Sequence, residues 1–259
     1  MSLHDIRWVG GVAHWTFVGA KHLSALPDDI LLRAGIANTV TFAVSAVLSQ
    51  LLLGFILALF TSRVLRGRVV YRTIFLLPIL VPGIVIGAMW KLMYNFDFGV
   101  LNRLTALIGM APRDWLGDKA VALLSVIAVD IWHWTPFCFL LLLAGLESQP
   151  RDVYEAAKVD GAGPLRELVY VTLPLMLPTI LVTVVFRTIV AFKVFDEVYL
   201  LTGGGPGTAT EVISFTIYRR FFTEDRVGHG SAISIVTLVV ISMLIVIALL
   251  AARRTGTAR

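Results

Sequence analysis

Residues 38–61 read NTVTFAVSAVLSQLLLGFILALFT, 24 consecutive positions without a charge. About 20 apolar residues at ~1.5 Å per residue cross the ~30 Å hydrocarbon core of a bilayer. The run does not alternate in hydropathy and is too long for a barrel strand. A helix satisfies its own backbone groups in lipid, which a lone strand cannot do. The stretch therefore reads as a spanning helix, and the fold class follows from it: an all-α polytopic membrane protein.

Four further runs support that reading. Residues 73–90 carry no charge but contain Pro78 and Pro82. Residues 120–146 hold one acid, Asp130, and residues 173–201 carry Arg187, Lys193, Asp196 and Glu197. Residues 231–252 are uncharged and end at Arg253 and Arg254. Five spans are thus expected, within a transmembrane domain over residues 35–252. Residues 1–34 form an extracytoplasmic or interfacial segment, in which 6–20 are apolar but too short to span. Residues 253–259 form a cytoplasmic tail. No cleavable signal is evident.

The composition agrees: 58% of the 259 residues are hydrophobic and 15% charged, against about 45–50% and about 25% in soluble domains. That balance excludes a disordered chain, a disulfide scaffold and an ordinary soluble enzyme. The single cysteine, Cys138, lies in an apolar run and suggests neither bridge nor metal. Net charge is +5. With few polar surfaces to carry a basic patch, no nucleic-acid partner is expected, and basic cytoplasmic loops are the simpler cause. Residues 63–72 contain Arg63, Arg66, Arg68 and Arg72 and no acid, and the tail adds three bases. Segments 1–37, 92–119 and 202–230 each balance three bases against three acids. The basic ends place 63–72, 147–172 and the tail inside and the N-terminus outside.

The loop 147–172 is the informative one. It contains Glu155-Ala156-Ala157, three residues, Gly161, nine residues, then Val171-Thr172-Leu173-Pro174, preceded by Glu147-Ser148-Gln149-Pro150. Asp152 is suited to cap a helix over residues 153–159, with Glu155 in its first turns. Gly161 suits a left-handed C-cap and Pro164 the first position of a following helix. The spacing resembles the EAA signature of ABC-transporter permeases, and the resemblance covers residues 17–254. It implies a type I ABC importer transmembrane domain of the MetI-like kind, in which this loop is the coupling helix on a cytoplasmic ATPase. Glu155 would be its charged contact, Ala156 and Ala157 its packing face and Gly161 its turn, with Asp160 also among the residues coupled to the ATPase. The chain has no GxxxxGK[ST] loop. It is therefore expected to bind no cofactor itself and to be no enzyme, with ATP used by partner subunits.

Three other stretches resemble the carbohydrate-uptake branch, the maltose, trehalose and glycerol-3-phosphate permeases. They are Phe17-Val18-Gly19, with His22 where the family has asparagine; Tyr71-Arg72-Thr73 through Pro78 with Asn95-Phe96-Asp97-Phe98-Gly99-Val100-Leu101-Asn102; and Phe195-Asp196-Glu197-Val198-Tyr199-Leu200-Leu201-Thr202-Gly203-Gly204-Gly205-Pro206. The family pattern has six or more spans, one ahead of the Phe17 stretch, so its usual first span is missing from the five counted here. The resemblance implies a second, homologous permease subunit, two ATP-binding cassette ATPase subunits, an extracytoplasmic solute-binding protein and the lipid of a prokaryotic cytoplasmic membrane as partners.

Ionisable residues at bilayer depth face a cavity or each other. Asp130, His133 and Trp134 on one span, with Arg187 and Lys193 on another, are the candidate pathway residues for a sugar or related polar solute. Lys193 would pair with Glu197 or Asp196 at helical spacing. The competing reading makes Asp130 and Arg187 a structural ion pair and the tryptophans packing residues. His133 has no second ligand at metal spacing, so no metal is expected. Glu224 and Asp225, beside Arg219 and Arg220, read as a solvated outer loop. An ion-coupled secondary transporter is the alternative class, but no inverted repeat supports it.

Overall fold

The computed structural model describes residues 1–10, 12–63 and 68–256. Residues 64–67 of the basic loop and 257–259 of the tail lie outside the described residues, as do the side chains of Arg63, Arg68, Arg72, Arg253 and Arg254.

The N-terminal segment contains a hairpin. Strands β1 (His4–Val9) and β2 (Val12–Phe17) pair antiparallel from His4 opposite Phe17 to Val9 opposite Val12. That register leaves a two-residue connection, where glycine supplies the positive φ a tight hairpin needs; Gly10 has φ +60°. A short helix α1 (Lys21–Ser24) and a 3-10 turn (Leu26–Asp28) lead to the first long helix.

That helix, α2 (Ile30–Arg63), starts eight residues before the predicted span. Asp29 explains the early start: its Oδ1 accepts the N–H groups of Leu31 and Leu32 at 3.0 and 3.2 Å, capping two donors that would otherwise be orphaned. At 34 residues the helix is about 51 Å long, more than a bilayer core requires.

The run 73–90 is not one helix. It breaks at Val81-Pro82 into a bent pair, α3 (Arg68–Leu80) and α4 (Gly83–Met93). Pro82 has no N–H and disfavours helix at the residue before it. Then follow α5 (Val100–Leu107) and the long α6 (Ala122–Glu147). The loop 147–172 holds α7 (Arg151–Val159) and α8 (Pro164–Glu167). A π turn, Leu168–Thr172, joins α8 to α9 (Leu173–Ala191). Pro174 accounts for that turn: its ring would press on the carbonyl of Tyr170, four residues back, and a wider turn relieves the clash.

The predicted span 173–201 also divides. The helix ends at Ala191, and α10 (Asp196–Leu201) begins afresh with Asp196 and Glu197 in its first turn, where negative charge is favoured. Helix α11 (Ile213–Tyr218), a second π turn (Arg219–Thr223) and α12 (Val227–Gly256) complete the chain. Among the described residues four helical runs are long and apolar enough to cross a membrane, and the bent pair makes a fifth if it counts as one span.

Contacts between backbones gather the chain into two compact units. The first comprises residues 1–45, 82–130 and 189–244; the second comprises 46–81, 131–188 and 245–259. All three charge-balanced segments fall in the first unit. All three segments assigned to the inside fall in the second. The core of the second unit is Ala58, Cys138, Phe139, Leu142, Leu143 and Met176. Helices α2 and α6 approach closely there, since a Cβ on Gly54 would stand 2.9 Å from both Cys138 Cβ and Phe139 N. The first unit has a smaller apolar cluster, Leu26, Leu32, Ile213, Ala232 and Ile233. Its α4 packs on α10 through Gly87, where a Cβ would meet Leu200 Cβ at 2.8 Å.

Candidate coupling and pathway sites

The segment 150–167, the candidate for coupling, forms the helix, stop and second helix that its sequence suggests, with one correction. Pro150, not Asp152, is the N-cap of α7, and no side chain caps it. The helix begins at Arg151 because Pro150 presets φ at −63°, and Asp152 falls inside the first turn, where its charge still complements the helix dipole. At the other end Asp160 is the C-cap and Gly161 has φ +74°. The N–H groups of Asp160, Gly161 and Ala162 donate to the carbonyls of Ala156, Lys158 and Ala157, closing the helix end. A Cβ on Gly161 would meet nothing within 4 Å, so its glycine is required by backbone conformation alone. Pro164 opens α8 at its first turn, as predicted.

One face of α7 stays outside the second unit's packing. Asp152, Glu155, Ala156 and Val159, at helical spacing, are all exposed, and Val159 is 88% exposed. Tyr154 and Ala157 lie on the half-buried side, so the two alanines face differently. A pocket of about 870 Å³ opens beside the helix, lined by Glu147, Gln149, Arg151, Tyr154, Glu155 and Lys158 among others. Gln149 holds the preceding bend by donating to the Gly145 carbonyl at 3.0 Å.

Three of the five pathway candidates come together in the second unit. Arg187 is fully buried, and its guanidinium carbon lies 4.6 Å from the centre of the Trp134 ring. His133 sits 5.2 Å from the same ring, centre to centre, and is buried. Phe137 stands edge-on to Trp134 and stacks on Phe186 at 4.7 Å. The result is a cation packed on an aromatic ring and shielded from solvent. Gln50 belongs here and was not singled out by sequence: Arg187 Nε donates to its Oε1 at 2.7 Å. Asp130 is buried but belongs to the first unit. Lys193 is exposed in the turn after α9 ends. The predicted i, i+4 spacing of Lys193 and Glu197 therefore does not apply, because residues 192–195 are not helical.

The outer loop 219–225 is no plain solvated loop. Arg220 donates to Asp29 through Nε (3.0 Å) and Nη2 (2.6 Å) and also pairs with Glu224. His229 Nε2 donates to Asp29 Oδ2 at 2.8 Å. Burial pushes the Asp29 carboxyl upward, but the hydrogen bonds from Arg220, His229 and the Leu32 N–H, with the charge of Arg220, hold it down at about 2. One buried acid therefore joins the start of α2, the second π turn and the first turn of α12. Glu211 is fully buried as well. Thr216 Oγ1 donates to it at 2.9 Å and Arg219 Nη2 stands 3.2 Å away, yet burial dominates and raises its pKa. The partners of Asp29 lie 191 and 200 positions away, so no local spacing could have revealed them.

The glycine-rich stretch turns as expected: Gly203, Gly204 and Gly207 have φ +57°, +83° and +64°. Thr210 Oγ1 donates to the Gly205 carbonyl at 2.7 Å, and Asn38 Nδ2 reaches the Thr208 and Glu211 carbonyls at 2.8 and 2.9 Å. Asn102, at the end of the Asn95–Asn102 stretch, is buried. Its Oδ1 accepts from Trp115 Nε1 at 2.8 Å and from the Arg113 N–H at 3.1 Å. Among the described residues no three His, Cys, Asp or Glu side chains form a metal cage.

Comparison with known proteins accords with this architecture. Residues 50–255 match the family model described as binding-protein-dependent transport system inner membrane component. The trehalose/maltose transport system permease protein of Thermococcus litoralis is 42% identical over 93% of this chain and 81% of its own length. The sn-glycerol-3-phosphate transport system permease protein of Agrobacterium fabrum is 35% identical over 87% of this chain and 77% of its own. Among solved structures, a bacterial ABC transporter involved in the import of the acidic polysaccharide alginate superimposes with a TM-score of 0.83 at 27% identity, covering 92% of this chain and 84% of that one. The MetNI methionine transporter, at 17% identity and a TM-score of 0.59 over 90% and 97%, shares the fold alone. The match to an inner-membrane family and the long apolar helices place this multi-pass chain in the cytoplasmic membrane. It belongs to the family of binding-protein-dependent transport system inner membrane components.

Proposed function

We propose that this chain is the permease subunit of an ATP-driven importer that moves a sugar or related polar solute into a prokaryotic cell by alternating access. The observation that carries the reading is the exposed face of α7 with Gly161 as its left-handed stop, inside a family match that spans most of the chain. An exposed valine on a cytoplasmic helix is poorly placed for water and well placed for a partner's groove. Glu155, Ala156 and Val159 contact an ATPase subunit, while Ala157, Asp160 and Gly161 hold the helix in shape. Two ATPase subunits hydrolyse ATP, a second, homologous permease completes the path, and a solute-binding protein delivers cargo from outside. ATP binding favours the outward-facing state, a population shift transmitted through α7. No cofactor is bound by this chain.

Sugar as cargo draws on the relatives named for trehalose and maltose and on the structural neighbour named for alginate. Arg187, Trp134 and His133 are the leading pathway candidates, with Asp130 and Lys193 as further ones. The test is reconstitution of the full transporter in proteoliposomes, with ATP hydrolysis and uptake measured for trehalose, maltose and glycerol 3-phosphate. Binding-protein-dependent uptake that Glu155→Lys abolishes is the expected result. Uptake that persists without ATPase subunits would overturn it.

A further inference from the structure

Helix α5 is amphipathic in the sense opposite to a helix of a soluble domain, which turns its apolar stripe inward. Val100, Leu104, Leu107 and Ile108, the last its C-cap, recur at helical spacing and are all exposed, Leu107 at 82%. The side turned into the protein carries Asn102, which is buried. Its Oδ1 accepts from Trp115 Nε1 and the Arg113 N–H, and its Nδ2 donates to the carbonyls of Phe96 and Arg113 at 3.2 and 3.1 Å. An amide bonded through all its donors and acceptors fixes the rotation of a short helix. The apolar face is therefore held outward.

The same bonds set the height of the helix. Trp115, which donates to Asn102, accepts Ser125 Oγ at its carbonyl at 2.8 Å, and Ser125 lies in the first turn of α6, one of the long apolar helices. Helix α5 is thus tied to the outer end of a spanning helix, where headgroups meet hydrocarbon. Its exposed face continues that of α4, where Ile84, Ala88 and Leu92 are exposed at four-residue spacing and are followed by exposed Phe96. Arg103 is exposed on the same face between Val100 and Leu107, and an arginine stem can lie along apolar neighbours while its guanidinium reaches phosphate. Lipid suits this face better than a visiting protein does. A solute-binding protein comes from water and leaves again, so a face kept for it would stand in water between visits, where a patch of Leu, Ile and Val is costly.

We propose that α5 is an interfacial helix: Val100, Leu104, Leu107 and Ile108 are sunk into the outer leaflet of the membrane, and Arg103 reaches the lipid phosphates. The proposal rests on residence in the membrane and not on the identity of the cargo. Its signature is depth, since a side chain in lipid, in water or under another protein is met by different small molecules.

The experiment places a nitroxide label at Leu107→Cys, at Ile108→Cys and, as a control, at Lys119→Cys, an exposed position in the same outer segment. Cys138 is fully buried, and the parent chain gives its background. The full transporter is reconstituted in vesicles of phosphatidylethanolamine and phosphatidylglycerol. Collision rates are measured with oxygen, which concentrates in hydrocarbon, and with a water-soluble nickel chelate. Relative to Lys119→Cys, the ratio of oxygen to chelate collisions at 107 and 108 is expected to be about tenfold higher, corresponding to a depth of about 5–10 Å below the headgroups. Adding the solute-binding protein is expected to change neither rate. A ratio equal to that of Lys119→Cys would put the face in water. Low rates with both reagents would put it under another subunit, and a fall in both on adding the binding protein would make it that protein's surface. Each of these three results overturns the proposal.

Discussion

The two compact units use their charges in opposite ways. The first buries a chosen few of them: Asp29 with Arg220 and His229, and Glu211 with Arg219 and Thr216, are internal networks that tie the ends of helices together. The second leaves Asp152, Glu155, Lys158 and Asp160 exposed on and beside one short helix. Its deeply buried cation, Arg187, lies against an aromatic ring. Buried, hydrogen-bonded charges are costly to disturb and hold a shape. Exposed charges on a helix with an uncovered valine add little to a monomer's stability and are available to a partner. Substitutions in the first unit should therefore register as stability, and those on α7 as lost coupling.

The largest expected effect is on α7. Glu155→Lys and Gly161→Arg should each cut ATP-dependent uptake by more than tenfold, measured in proteoliposomes. The melting temperature of the chain should move little for Glu155→Lys, because the side chain is exposed. An equal loss of stability would break the distinction between the units.

Next in size is Asp29→Ala. It leaves Arg220 and His229 facing a vacated site and should cost about 3 kcal/mol, read as a fall in the midpoint of thermal unfolding in detergent. Asp152→Ala, the matching change on α7, should cost less than about 0.5 kcal/mol.

Acid should act on the first unit through the same residue. The Asp29 carboxyl is lowered from 3.8 to about 2. A group depressed on folding stabilises the native state above its unfolded value and loses that contribution as pH falls through the folded one. About 2 kcal/mol should thus be present above pH ~4 and be gone below pH ~2. Asp29→Asn should flatten that part of the profile in a pH titration of the unfolding midpoint.

The smallest effect separates two kinds of glycine within the second unit. Gly54→Ala drives a methyl against the Phe139 backbone nitrogen and should cost about 2 kcal/mol. Gly161→Ala meets no atom and should cost about 1 kcal/mol for its left-handed backbone. Calorimetry of the two variants makes the comparison.

Elements whose information is local were legible in the sequence. The uncharged run gave α2, the glycine and proline spacing gave the stop of α7 and the start of α8, and the Gly203–Gly207 stretch gave its turn. Errors arose where a neighbour far along the chain, or a competing local rule, decided the matter. The early start of α2 follows from Asp29, whose carboxylate is held by Arg220 and His229 almost 200 positions away. The span through 173–201 fails because a fresh helix start at Asp196 and Glu197 outweighs apolar continuity. Gln50 was hidden because one amide in an apolar run has no meaning until Arg187 is placed against it.

The most direct test of the division between a locked first unit and a docking second unit is hydrogen exchange on the chain alone and with its ATPase subunits. Residues 151–159 should gain protection by at least tenfold when the ATPase is present, while residues 219–229 stay unchanged. Protection that appears at 219–229 and not at 151–159 would contradict it.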